Sequence, residues 1–234
     1  LYTPVRGTLS RGGTDEIAVD SRLITRKGAE RIARYAFELA MRRHGAPKDH
    51  KHRVTCVDKS NVLAGDRLFR AVYEEVAAKY PDVERDYAYI DAFTQWIIRT
   101  PERYDVAVAP NEFGDIATDL AAVLQGGMGI AAGGNIGDAH GMFEPIHGSS
   151  PKHAGQDKVN PIAMIMAAQM MLDWLGTRKG DRKLLDAAKG VEAAVAAVLK
   201  ERRTLTYDLG GTAKCSEVGT AIAAKVASSK KKKR

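Results

Sequence analysis

Apolar residues recur every three or four positions along much of the chain, a spacing that predicts amphipathic helices. Over residues 24–45 the positions Ile32, Tyr35, Leu39 and Ala40 follow this spacing, and Gly45 supplies a helix end. Further helices are predicted over residues 68–76, 93–99, 116–124, 162–175, 183–201 and 217–226. Short β-type runs at residues 53–57, 87–90 and 106–109 predict strands. Strands that alternate with helices indicate an α/β protein with a largely parallel sheet.

Closely spaced glycines interrupt this pattern over residues 126–155, which predicts a long functional loop region rather than regular structure. The motif G-x-G-x-x-G does not follow any of the predicted strands, so the sequence does not support a Rossmann nucleotide site. A glycine-rich loop can still bind phosphate through backbone N–H groups. His147, Lys152 and His153 are candidate contacts to a nucleotide, although a loop histidine can equally be structural.

Composition and charge exclude several classes of protein. The 234 residues are 44% hydrophobic and 28% charged, as in an ordinary globular chain. Residues 230–234 are all basic and supply five of the seven excess positive charges, so the remaining chain is nearly neutral and shows no nucleic-acid-binding surface. The tail itself is interpreted as solvated, with a nuclear-localisation or nucleic-acid element as the alternative.

Cysteine content and hydropathy bear on the compartment. Cys56 and Cys215 are the only cysteines and lie far apart, which indicates neither a disulfide framework nor a zinc site. The chain shows no signal-peptide pattern and no apolar run long enough to span a bilayer. These features predict a cytoplasmic protein.

Charged residues follow three of the predicted strands. Lys59 follows the first, Asp91 the second, and Asp115 with Asp119 the third. Because ligands gather at the carboxyl ends of parallel strands, we expect these side chains to share one edge of the sheet. Asp115 and Asp119 are spaced i, i+4 at a predicted helix start, so their carboxylates repel each other unless a cation lies beside them. A divalent metal site with Asp91 as third carboxylate is predicted.

Simpler interpretations of the same residues remain open at this point. Asp115 could act as a helix cap or a partner of the helix dipole, and Lys59 could be a solvated loop lysine.

Four ordered motifs resemble the isocitrate/isopropylmalate dehydrogenases, a family of β-decarboxylating hydroxyacid dehydrogenases. They are VDKSNVL at 57–63, GDIATDL at 114–120, GNIGD at 134–138 and FEPIHGS at 143–149, and the resemblance continues through residues 154–161 and 207–211. It implies an α/β two-domain fold from which the N-terminal part of the large domain is absent. Residues 1–123 would form the small domain with its dimerisation region, 124–227 the C-terminal half of the large, cofactor-binding domain, and 228–234 a basic disordered tail.

The resemblance also implies a chemistry for the charged residues. Asp91, Asp115 and Asp119 match the carboxylates that hold Mg²⁺ or Mn²⁺, and Lys59 and Tyr2 match the catalytic lysine and tyrosine. The family removes the hydroxyl proton of a 2-hydroxy acid with hydride transfer to a nicotinamide, then releases CO₂ and protonates the enolate. The family is dimeric with shared sites, so Lys59 and Asp91 are expected to serve the neighbouring subunit of a homodimer.

The resemblance limits the cofactor to NAD or NADP and leaves several substrates open. The residues matching the NAD or NADP site are Asn61, Glu144, His147, Gly148, Lys152, His153, Asn160 and Tyr207. Lys152, His153 and Tyr207 favour NADP, whereas Gly211 stands where the bacterial NADP-type isocitrate enzymes carry an arginine. Among substrates 3-isopropylmalate is favoured, with isocitrate, homoisocitrate or tartrate, or a noncatalytic regulatory subunit, as alternatives.

Overall fold

The computed structural model describes residues 2–231, and the side chains of residues 6–228, in two compact units, Leu1–Ala121 and Ala122–Arg234. The first unit begins with an antiparallel ribbon of β1 (Tyr2–Arg11) and β2 (Thr14–Arg22), joined through Gly12 and Gly13, which both have positive φ. The sequence pattern did not predict this ribbon. Its described side chains are nearly all exposed, so no buried face produces a periodic signal.

A three-layer α/β arrangement follows the ribbon. Its elements are α1 (Arg26–Arg42), β3 (Arg53–Asp58), α2 (Ala64–Ala77), β4 (Glu84–Tyr89), α3 (Ile90–Arg99), β5 (Val106–Val108) and α4 (Asn111–Ala122). The strands form a parallel sheet in the order β4-β3-β5, which confirms the predicted α/β class. Every residue of β3 is buried, because helices cover both faces of the central strand.

The two faces of the sheet carry separate apolar cores. Val54 and Cys56 pack with α1 and α2, where Phe37 and Tyr73 are fully buried. Val57 points to the opposite face and packs with α3 and α4. The packing of helices on both faces fixes the direction of β3, and therefore the position at which its carboxyl end leaves the core.

The second unit combines a two-stranded ribbon with three helices. Its elements are β6 (Ala132–Ile136), β7 (Gly141–Pro145), α5 (Ile162–Lys179), α6 (Arg182–Glu201) and α7 (Cys215–Lys231). The helices share a core built around Ile162, Val195 and Val218. None of the helices between residues 2 and 231 has the length and apolar content needed to cross a bilayer.

The prediction of irregular structure throughout the glycine-rich region was wrong for the antiparallel pair β6 and β7. A Cβ atom at Gly134 would lie 3.1 Å from the ring of Phe143, so glycine gives that ring its place across the ribbon. Phe143 in turn packs on Trp174 of α5 with ring centroids 5.8 Å apart. The ribbon depends on these tertiary contacts, whereas glycine in isolation indicates a weak strand.

Two helices begin earlier than the sequence predicts, which changes the position of two site residues within their helices. Helix α4 begins at Asn111, so Asp115 lies one turn inside it rather than at its start. Helix α3 begins directly after β4, so Asp91 lies in its first turn. Position inside the helix excludes the interpretation of Asp115 as a cap.

Arg53 anchors the beginning of β3. Its side chain is 6% exposed and donates to Asp49 at 2.7 Å, to Glu84 at 3.1 Å and to the Arg103 carbonyl oxygen at 2.6 Å. The Glu84 hydrogen bond, the largest cause, holds the pKa of Arg53 above its usual range. One guanidinium therefore ties the chain before β3, strand β4 and the segment before β5 together at the amino edge of the sheet.

Replacing Arg53 with Met should lower the free energy of unfolding by about 2–3 kcal/mol, because buried hydrogen bonds to charged groups are lost. Urea denaturation followed by circular dichroism measures the change. The matched control is Arg85→Met, whose exposed ion pair with Glu74 should contribute less than about 1 kcal/mol. Equal destabilisation by the two variants would contradict the role assigned to Arg53.

Candidate active site

Lys59 and Asp91 meet at the carboxyl edge of the parallel sheet. Lys59 directly follows β3 and Asp91 follows β4, and the register pairs Asp58 with Tyr89 at the strand ends. The Lys59 Nζ atom donates to Asp91 Oδ1 at 2.6 Å and lies 5.7 Å from the centroid of the Tyr89 ring. The hydrogen bond from Lys59 lowers the pKa of Asp91 below its ordinary value. Two of the predicted site residues are therefore in direct contact.

Two buried carboxylates hold the backbone around Lys59. Asp66 accepts from the Lys59 N–H at 2.8 Å, and Asp58 accepts from the Ser60 N–H at 2.9 Å. Arg70 forms a bidentate pair with Asp58 at 2.7 and 3.0 Å. Burial raises the pKa of Asp66. Sequence reasoning missed these residues, and the available signal was the presence of charges within an otherwise apolar strand and helix.

Asp115 and Asp119 lie one turn apart on α4, and both are exposed. Within the described part of the chain neither carboxylate forms a hydrogen bond or ion pair. Unpaired carboxylate oxygens on one helix face have the donor chemistry that a hard divalent cation prefers. Among residues 2–231 the structure does not gather three His, Cys, Asp or Glu side chains into a metal-binding group, so Asp91 does not complete this pair within one chain.

Tyr2 and Asn61 are the remaining candidates in the first unit. The backbone of Tyr2 is opposite Arg22 in the ribbon, whereas its side chain lies outside the described residues. Asn61 is exposed in the turn after β3, where the Val62 and Leu63 N–H groups donate to the Lys59 carbonyl oxygen. Asn61 therefore lies close to Lys59 in space, within the same turn.

The second unit contains a cavity of about 550 Å³ that collects most of the predicted nucleotide contacts. The predicted residues among its lining are His147, Gly148, His153, Asn160 and Tyr207. Glu144 is not among them, and its carboxylate accepts from Asn135 Nδ2 at 3.0 Å within the ribbon. Lys152 is exposed in the short 3₁₀ turn Pro151–His153 beside the cavity.

Asn160 joins two parts of the cavity wall. Its side-chain oxygen accepts from the Ile162 N–H at the start of α5, and its Nδ2 donates to Asp208 at 3.0 Å. A Cβ at Gly129 would lie 2.7 Å from the Asp208 carboxylate and 3.0 Å from the Asn160 Cβ, so a larger residue there would displace this pair. Asn160 is buried, and this network fixes the segment that carries Tyr207.

An aromatic and basic wall forms one side of the cavity. The rings of His153 and Tyr207 stack with centroids 6.3 Å apart, and Lys158 Nζ lies 4.6 Å from the Tyr207 centroid. Flat rings with a neighbouring cation are suited to a nucleobase and its phosphates. Lys158 was not predicted, because a single lysine in a polar segment carries no distinctive signal.

Asp157 closes the cavity from another side. It has φ of 49° and accepts from the Ser216 hydroxyl at 2.6 Å and the Ser216 N–H at 2.8 Å, at the start of α7. The Ser216 hydrogen bonds lower the pKa of Asp157.

At Gly211, a Cβ would overlap the Leu205 carbonyl oxygen. A side chain at position 211 therefore requires a backbone shift.

Comparison with known proteins matches residues 1–222 to the family model of isocitrate/isopropylmalate dehydrogenase. The chain is 43% identical over 231 residues to 3-isopropylmalate dehydrogenase of Thermobifida fusca, covering 97% of this chain and 60% of that protein. It is 42% identical to 3-isopropylmalate/3-methylmalate dehydrogenase of Methanocaldococcus jannaschii, covering 97% and 64%. The crystal structure of isocitrate dehydrogenase from Methylococcus capsulatus superposes with a TM-score of 0.83 at 38% identity, covering 95% and 63%. The chain thus spans about three fifths of each relative.

Replacing Lys59 with Met should raise the pKa of Asp91 toward its ordinary value, because the main interaction that favours the carboxylate is removed. Carbon-detected NMR titration of labelled aspartates measures the shift. Asp157 provides an internal control, since its pKa is lowered by Ser216 and should not change. An unchanged Asp91 titration would mean that the Lys59 contact does not form in solution.

Proposed function

The chain belongs to the isocitrate/isopropylmalate dehydrogenase family, and from this premise we propose that it carries out metal-dependent, NAD(P)-linked oxidative decarboxylation. The substrate is a 2-hydroxy acid with a 3-carboxylate, and 3-isopropylmalate is the favoured member of that class. The observation that carries the proposal is the contact of Lys59 with Asp91 at the carboxyl edge of the sheet, on motifs shared with the family. A cytoplasmic location stays a prediction from the sequence.

Asp115 and Asp119 are the residues that would hold Mg²⁺ or Mn²⁺, because their carboxylates are exposed and unpaired within the described chain. We propose that the third carboxylate, Asp91, comes with Lys59 from a second copy of the chain in a homodimer. When bound, the cation stabilises negative charge on the substrate oxygens, and the nicotinamide nucleotide accepts the hydride. This arrangement accounts for a carboxylate pair that has no cationic partner among the side chains of residues 6–228.

The remaining residues move protons and hold the nucleotide. Lys59 presents its Nζ atom at the sheet edge, where an amine can exchange a proton with a substrate oxygen within hydrogen-bonding reach. Tyr2 is proposed as the second acid–base residue on the family motif alone. His147, His153, Asn160 and Tyr207 would hold the nucleotide in the cavity of the second unit. Asn61 and Glu144 are proposed as further nucleotide contacts on the family motifs alone.

Isocitrate is a second candidate substrate, favoured by the likeness to the Methylococcus capsulatus isocitrate dehydrogenase structure. A noncatalytic regulatory subunit is disfavoured, because Lys59, Asp91, Asp115 and Asp119 are all present. Assays with 3-isopropylmalate and isocitrate as substrates, alongside homoisocitrate and tartrate, distinguish these possibilities.

The complete natural polypeptide that carries this sequence should reduce NAD or NADP with 3-isopropylmalate only when Mg²⁺ or Mn²⁺ is added. Asp115→Asn and Asp119→Asn should each lower kcat/KM about 100-fold or more, because a charged ligand is lost. Absorbance at 340 nm measures turnover, and electron paramagnetic resonance of Mn²⁺ measures metal binding independently. Asp82→Asn, at an exposed aspartate before β4, is the matched control. Absence of reduced nucleotide with all four acids would refute the proposal.

Replacing Lys152 with Gln should raise the KM for NADP by about three- to tenfold and leave the KM for NAD within twofold, because an exposed cation favours the additional phosphate. Initial rates with each nucleotide measure the two constants. Lys179→Gln, at the end of α5, serves as the control for a general loss of positive charge. Equal effects on the two KM values would show that Lys152 does not contribute to the discrimination between NAD and NADP.

A further inference from the structure

Arg22 lies at the end of β2, and its side chain contacts two separate helices of the first unit, α2 and α4. Its guanidinium donates to Asp66 at 2.5 Å and to Glu112 at 3.3 Å, and it lies 4.7 Å from the centroid of the Phe113 ring. The side chain is 17% exposed, whereas Asp66 is fully buried. Nothing in the sequence pattern marks this arginine, which ends an exposed ribbon.

Each contact of Arg22 leads to a residue of the proposed active site. Asp66 accepts the backbone N–H of Lys59, so Arg22 reaches the lysine through one carboxylate. Glu112 and Phe113 lie in the first turn of α4, and only Gly114 separates Phe113 from Asp115. The backbone of Arg22 is also opposite Tyr2 in the ribbon. The Arg22 side chain therefore links the Lys59 turn to the start of the helix that carries Asp115, while its backbone pairs with the strand that contains Tyr2.

We infer that Arg22 is a positioning residue, which holds the Lys59 turn and the start of α4 in a fixed relation through Asp66 and Glu112. The inference rests on the proposed function, in which Lys59 serves the neighbouring subunit's site and α4 serves the site of its own chain, so Arg22 positions groups for both sites. Arginine suits the role because its planar fork donates to two carboxylates at once, whereas a lysine ammonium acts as a single point charge.

Charge compensation explains why the Lys59 backbone depends on Arg22. A buried carboxylate is stable in its ionised form only when opposite charge and hydrogen bonds offset its desolvation. Burial raises the pKa of Asp66, while the Lys59 N–H and Arg22 both lower it. Without Arg22, Asp66 would lose its opposite charge and one hydrogen bond inside the protein, so we expect its hydrogen bond with the Lys59 N–H to weaken.

The test compares Arg22→Met with Arg26→Met in the complete natural polypeptide. Arg26 is the matched control, because its ion pair with Glu75 at 2.5 Å is exposed and lies away from the Lys59 turn. Hydrogen exchange at the Lys59 amide should become about tenfold faster in Arg22→Met, with β3 unchanged. The value of kcat should fall about 10- to 100-fold with the nucleotide KM within twofold, because misplaced catalytic groups slow chemistry more than binding. Arg26→Met should alter neither quantity.

A conservative variant covers the case in which Arg22→Met does not fold. Arg22→Lys keeps the charge near Asp66 but cannot bridge to Glu112, so its kcat should lie between those of the wild type and Arg22→Met, about three- to tenfold below the wild type. Wild-type kcat in either Arg22 variant, or a lower kcat with normal exchange at Lys59, would overturn the inference. An inactive wild-type polypeptide would instead refute the proposed function, while the exchange measurement would still decide whether Arg22 holds the lysine turn.

Discussion

Strand β3 is buried on both faces and paired along both edges, and this constraint organises the first unit. A central parallel strand must be covered by helices on each side, so polar chemistry is possible only at its ends. Arg53 satisfies the amino end with two carboxylates and a carbonyl oxygen. At the carboxyl end, Asp58 turns back to Arg70, and Lys59 leaves the core beside Asp91.

Burial separates the charges that build the first unit from those available to a ligand. Asp58 and Asp66 are fully buried, and each is paired with an arginine and accepts a backbone N–H. Their desolvation is compensated inside the protein, so they stabilise a backbone conformation rather than bind a cation. Asp115 and Asp119 remain exposed and unpaired within the described residues, which leaves their oxygens available.

The second unit applies the same principle to a cavity rather than a sheet edge. Asn160 and Asp208 link the start of α5 to the Tyr207 segment, and Asp157 caps α7. These polar groups are satisfied within the wall. His153, Tyr207 and Lys158 are left to present rings and positive charge to the cavity. A wall whose polar groups are hydrogen-bonded to one another, with an accessible aromatic surface, is typical of small-molecule sites.

The amino-acid sequence by itself determined the α/β class, the position of β3 and the placement of Lys59 and Asp91 after neighbouring strands. Hydrophobic periodicity carries that information, because it records which face of each local segment is buried. Only the tertiary structure decided that β6 and β7 pair, that α4 begins at Asn111, and that Arg22 meets Asp66 across the unit. Those features arise from contacts between residues distant in sequence, and a local pattern of polarity contains no record of such contacts.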